Sequence, residues 1–248
     1  MKRHPLLGVL GGLGPMSTFY FCELLTAHTK ARTDADHIDM LISSRASTPD
    51  RTAYILGQAG ARDPLPVMRE EAHRLAAAGA ELLVIPCNTA HYFYDGLAKD
   101  CPVPILNIIR QTVAFLQMRG IRRCGLLATE GTVASGAYAR LFAEAGIECL
   151  CPDPQEQAVV TGIIYGAVKQ NLPPDFAAFL RVSQALLNRG CECLVLGCTE
   201  LSLLRREGLR QPWFVDSLEV LACSTILACG KEPTGFPPEF DCLREVTV

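Results

Sequence analysis

The chain has 248 residues, 49% of them hydrophobic, with 23 Lys and Arg against 26 Asp and Glu and a net charge of −3. That length and apolar content suit one large or two small domains with buried cores, and the near balance of charge offers no electrostatic footprint for nucleic acid. No stretch approaches the roughly 20 apolar residues of a membrane span, and the opening MKRHPLLGVLGG is too short an apolar run for a secretory signal, so a soluble, cytoplasmic protein is expected.

In chain order, apolar runs predict strands at 6–10, 39–43, 82–86, 105–108, 124–128, 147–150, 194–197 and 213–215, with helices filling the gaps. Two helices are clear, 66–78 before Gly79 and 175–189 before Gly190, the second with Phe176, Phe179, Leu180, Leu186 and Leu187 on one face. Such β/α alternation predicts parallel sheets covered on both sides.

The chain also repeats itself. Glu81 to Cys87 reads ELLVIPC and Glu192 to Cys198 reads ECLVLGC, matching at Gly79/Gly190, Leu83/Leu194, Val84/Val195 and Cys87/Cys198 at one offset. Upstream, GVLGGLGPMST from Gly8 is matched by GLLATEGTVAS from Gly125, each a strand, a glycine-rich turn and a helix start. Two similar α/β domains related by a pseudo-twofold follow from this. The first is expected to span 1–115 plus 212–230, the strand at Trp213 and the helix 218–228 returning to it; the second spans 116–211, and a proline-rich tail covers 231–248.

In each repeat the cysteine falls at the carboxyl end of a buried strand, the edge where open α/β sheets bind ligands. If the halves face each other, Cys87 and Cys198 flank one small molecule from opposite sides. A thiolate is the reactive form, and a helix N-terminus or a nearby cation favours it. The other cysteines, such as Cys22, Cys124 and Cys193, lie in strand or helix patterns, where a reduced thiol serves as a small apolar group. Asn88, Thr89, Thr199, Thr129, Thr132 and Ser135 can present donors to a carboxylate or simply cap helices. His91, four residues after Cys87, can sit beside the site as a helix residue; the pair has too few companions at ligand spacing for zinc, and no metal is expected. GGLGPMST lacks the third glycine of a dinucleotide fingerprint.

The combination GGLGPMST, STPDRT, PCNTAH, LLATEGT and LGCTEL resembles the aspartate/glutamate racemase family, and most of all its PLP-independent aspartate racemases, over about Gly8 to Ser217. The resemblance implies two flavodoxin-like domains with one active site in the cleft between them, a homodimer, and no cofactor. It implies racemisation of an acidic amino acid, aspartate or glutamate, with Cys87 and Cys198 as the two bases. By motif it carries over an arginine and a lysine that read the acidic substrate, Arg51 in PDRT and Lys169 in IIYGAVK, and a turn at Met16 whose backbone approaches substrate. Bottom-up, Arg51 is otherwise a loop salt-bridge residue and Lys169 a solvated helix residue.

The chemistry fits. Inverting an α-carbon needs a proton removed from one face and another returned to the opposite face, which a thiolate and a thiol can do. With no pyridoxal ring as electron sink, donors must stabilise the charge that develops on the α-carboxylate, and Asn88, Thr89 and Thr199 are the expected ones. Glu200 can orient or deprotonate a neighbour, or cap. Where many relatives carry an NNPQ-like run, this chain has SSRAST from Ser43 to Thr48, and Arg45 adds a charge of unassigned direction. Other readings stay open: a broad-specificity amino-acid racemase, another superfamily reaction such as maleate isomerisation, hydantoin racemisation or decarboxylation, and a non-catalytic carboxylate-binding protein.

Overall fold

The computed structural model describes residues 4–245. All eight expected strands form, shifted by a residue or two, and build two parallel four-stranded sheets of identical topology. In the first sheet β1 (Leu7–Gly11), β2 (Met40–Ser44), β3 (Leu82–Val84) and β4 (Ile105–Leu106) lie in the order β2-β1-β3-β4. In the second, β5 (Arg123–Leu127), β6 (Glu148–Leu150), β7 (Cys193–Leu196) and β8 (Phe214–Asp216) lie in the order β6-β5-β7-β8. The chain therefore turns back at one place in each sheet, between β1 and β3 and again between β5 and β7. Those are the switch points where ligands bind in open α/β sheets.

Local sequence explains the main helices. Asn107 starts α5 (Ile108–Met118) by accepting the N–H groups of Ile109 and Arg110, each at 3.0 Å. Asp175 does the same for α9 (Phe176–Asn188) through Ala178 N–H at 2.8 Å. The helix α3 (Leu65–Ala77) and α9 run out into Gly79 and Gly190, whose φ of 105° and 90° suit glycine.

The strand at Trp213 corrects one expectation. It does not return to the first domain: β8 pairs in register with β7, Leu194 opposite Phe214 and Leu196 opposite Asp216. What crosses over is the following helix, α11 (Ser217–Ala228), which packs on α1 (Pro15–His28) of the first half. In return α5, which leaves the first sheet, packs on α7 (Ala137–Glu144) of the second, and α5 and α11 lie against each other. A lone strand of three residues carries too little pattern to say which sheet it joins; hydrogen bonding to β7 decides it.

One apolar core results between the sheets, holding Val9 and Val84 from the first, Leu126 and Val195 from the second, and α5 and α11 between them. Separate clusters cover the outer faces. The tail is a docked strap: Pro233 bridges to Thr29, and Phe240 packs its ring 4.8 Å from Phe115. The end of the expected tail, 246–248, lies outside the described residues. No helix among these is long and apolar enough to cross a membrane.

Candidate active site

Cys87 follows β3 by three residues and Cys198 is the residue before α10 (Thr199–Arg206), so the repeat delivers one thiol to each switch point. Both line a single tight cleft of about 10 Å³, room for about one water-sized molecule, together with Arg51, Thr89, Lys169 and Glu200. Cys87 is 6% exposed and Cys198 3%.

The two thiols stand in different fields. Burial pushes the Cys87 thiol up, while the Arg51 charge, the Ala90 N–H and the Lys169 charge pull it down and Glu200 opposes them. Burial pushes Cys198 up further, with Glu200 adding to it both by charge and by accepting the thiol's hydrogen bond at 3.0 Å; Lys169 pulls the other way. Cys198 is therefore held further toward its protonated form than Cys87, which has the stronger cationic support for ionising.

The cations come from opposite halves. Asp50 accepts the Ala53 N–H at 2.7 Å and so starts the short helix α2 (Arg51–Ile55), which carries Arg51 into the cleft. Arg51 is buried, with Nη1 donating to the carbonyls of Pro49 at 3.0 Å and Thr48 at 3.3 Å and Nη2 to that of Leu13 at 2.8 Å. Its Nε–H has no acceptor in the protein. Lys169 stands just past a π-helical stretch, Gly162–Ala167, of the kind that often marks functional sites. Burial alone would pull its ammonium down, but Glu200 and then Cys198 hold it above the ordinary lysine value. Its Nζ lies 3.3 Å from Glu200 Oε1 and 4.9 Å from the centre of the Tyr165 ring.

The hydroxyls form a cross-domain knot. Thr89 Oγ1 lies 3.1 Å from Thr129 Oγ1 and 2.8 Å from Thr132 Oγ1, and those two are 3.0 Å apart. Thr199 Oγ1 is buried without a partner. Asn88 is engaged elsewhere: it accepts from Tyr138 at 2.7 Å and donates to Ser217 at 2.9 Å, and Ser217 in turn donates to the Leu196 carbonyl at 2.7 Å. It fastens the β3 loop to the second half, with one amide hydrogen left over.

His91 lies beside the site and is held away from proton transfer. Ile108 N–H donates to its Nε2 at 3.3 Å, so Nδ1 carries the hydrogen and donates to the Cys87 carbonyl at 2.9 Å. Burial pulls its pKa down to about 4, which keeps the ring neutral. The Met16 side chain is 47% exposed and turns to an outer groove beside Leu172 and Leu203, outside the cleft. Arg45 points away as well, donating to Glu70 at 2.8 Å and Glu71 at 2.6 Å on α3. Among the described residues no group of three His, Cys, Asp or Glu is placed to hold a metal.

Leu13, Asp50, Thr52 and Tyr165 line the cleft without having been singled out in the sequence. Three of them had a signal: Asp50 and Thr52 flank Arg51, and Tyr165 precedes Lys169 by four residues, one helical turn.

Paired thiols at equivalent switch points of duplicated sheets narrow the field, and a family model for Asp/Glu/hydantoin racemases matches residues 10–225. The chain belongs to that family. It is 26% identical over 226 residues to the broad specificity amino-acid racemase RacX of Bacillus subtilis (strain 168), a match covering 89% of this chain and 96% of that one. The aspartate racemase of Picrophilus torridus superposes with a TM-score of 0.80 at 26% identity, covering 97% of this chain and 99% of that one. A glutamate racemase from Francisella tularensis, solved in complex with D-glutamate, shares the fold at a TM-score of 0.61 and 17% identity, over 99% of this chain and 93% of its own.

Proposed function

We propose that the protein racemises an acidic amino acid, with aspartate the first candidate, by moving the α-proton between Cys87 and Cys198 without a bound cofactor. The observation that carries this reading is that both thiols line one cleft from its two halves. A thiolate on one side takes the α-proton and the C–H pair stays on Cα as a carbanion; the thiol on the other side protonates Cα and is left as the new thiolate. Reversal exchanges their roles. The unpartnered Thr199 hydroxyl, and the Thr89, Thr129 and Thr132 hydroxyls once they turn from one another to the ligand, provide the donors that a substrate α-carboxylate needs as charge builds on it. The free Arg51 Nε–H suits a second carboxylate.

One observation favours a wider substrate range as the second reading. Lys169 is already ion-paired with Glu200, and Arg51 spends three N–H bonds on backbone carbonyls, so neither cation stands free of protein partners. The named activity of the B. subtilis relative is of that wider kind. A cytoplasmic setting, where twelve thiols stay reduced, and a homodimer complete the proposal.

The test is α-hydrogen exchange in heavy water across the common amino acids, each enantiomer separately, followed by chiral chromatography. Aspartate is expected to incorporate deuterium and racemise from both sides. Cys87→Ala and Cys198→Ala are each expected to lower kcat/KM by about 10³-fold or more, and a serine at one position leaves exchange with one enantiomer only. No exchange with any amino acid would end the proposal.

A further inference from the structure

The cleft has an acceptor that the two-thiol scheme does not use. Glu200 is 5% exposed, and its two carboxylate oxygens are treated differently: Oε2 takes the Cys198 hydrogen bond at 3.0 Å, while Oε1 is buried and accepts no hydrogen bond. Lys169 Nζ stands 3.3 Å from Oε1, at ion-pair range but out of hydrogen-bond alignment. A buried carboxylate oxygen that accepts no hydrogen bond from the protein costs free energy, and such a cost is kept where a ligand removes it.

Room is reserved for that oxygen. A Cβ at Gly14 would come within 2.5 Å of Glu200 Oε1, so the glycine of the turn after β1 is what lets a side chain from the second half reach over the first. The other acidic group of the cleft is spoken for, since Asp50 caps α2. An α-amino acid brings an ammonium group that needs an anion, and apart from the reacting thiolate the thiols, threonines and cations around it offer none.

On the racemase reading above, we propose that Glu200 Oε1 receives the substrate's α-ammonium group, displacing Lys169 toward the substrate's side-chain carboxylate. One carboxylate then fixes two things at once: the nitrogen on Cα through Oε1 and the Cys198 sulfur through Oε2. Cα is thereby drawn to the thiol that must reach it. Lys169, at ion-pair range of Oε1 but not hydrogen-bonded to it, can turn to the side-chain carboxylate of any dicarboxylate, so it is the ammonium contact with Oε1 that distinguishes α-amino acids from hydroxy and unsubstituted acids of the same shape.

The experiment is calorimetric binding of L-aspartate, L-malate and succinate to the wild-type protein, Glu200→Gln and Lys169→Met. Glu200→Gln is expected to weaken aspartate by about 10-fold or more and to leave malate and succinate within about 2-fold. Lys169→Met is expected to weaken all three dicarboxylates together while keeping the wild-type preference for aspartate over malate, and it stands as the check should the glutamine variant not fold. Equal losses for all three ligands in Glu200→Gln, no loss for any, or an aspartate preference erased by Lys169→Met would overturn the assignment. Racemisation is scored separately: selective loss of aspartate binding in a protein that exchanges no α-hydrogen sinks the racemase reading and leaves the ammonium site standing.

Discussion

Cys198 donates its S–H to Glu200 Oε2 at 3.0 Å, and Cys87 has no equivalent: two residues beyond it stands Thr89, already engaged with Thr132 at 2.8 Å. The repeat thus places two thiols symmetrically and surrounds them asymmetrically. Since Glu200 raises the Cys198 pKa by its charge and by its hydrogen bond, after burial, Glu200→Gln is expected to lower it. Alkylation by iodoacetamide followed across pH by mass spectrometry should move to lower pH at Cys198, and by less at Cys87, where Glu200 ranks behind burial and Arg51.

Gly131 sets the spacing of the cleft. It lies on the short helix α6 (Glu130–Ala134), and a Cβ there would fall 2.7 Å from Thr52 Oγ1 and 2.8 Å from Thr52 Cα on α2 across the cleft. Gly131→Ala is expected to push the halves apart at a cost of about 1–3 kcal/mol and, because proton transfer depends on thiol placement, to reduce kcat/KM by about 10²-fold. Activity that survives with an unchanged melting temperature would show that the two helices can slide.

Asn88 is expected to matter for stability before it matters for catalysis. Asn88→Ala removes the acceptor of Tyr138 and the donor to Ser217, both buried. The cost is about 1–3 kcal/mol, read as a lower urea midpoint at unchanged slope. Asn88→Asp keeps the Tyr138 acceptor and should fall between the two.

His91 makes the fold acid-sensitive. In the unfolded chain it binds a proton below about 6.5, whereas in the folded protein burial delays this to about 4. A depressed folded pKa gives stability that is complete above the unfolded value and is lost as pH falls through the window from about 6.5 to about 4, at most about 3 kcal/mol in all. Urea unfolding at a series of pH values should show that decline, and His91→Gln should flatten it.

Strands and thiols were legible because their signals are local. Leu82 to Val84 and Cys193 to Leu196 are buried on both faces, so an unbroken apolar run followed by a cysteine says all that the sheet needs. The destination of Phe214 to Asp216 was not, because choosing between two sheets depends on a partner strand distant in sequence. Motif placement brought Arg51, Lys169, Thr89, Thr199 and Glu200 into the cleft but said nothing of how each is spent. That Asn88 ties down Tyr138 and that Met16 turns outward are matters of side-chain direction and of contacts between halves, which one-dimensional spacing does not encode.

The crossing of α5 and α11 bears on ancestry as much as on rigidity. Because each half lends its closing helix to the other and both sheets have the same strand order, a shorter precursor with one thiol could have assembled this cleft from two identical subunits. Fusion into a single polypeptide releases the two walls from having to match. Asn88 and Thr89 on one side and Thr199 and Glu200 on the other are differences that a strictly self-paired ancestor had no means to write.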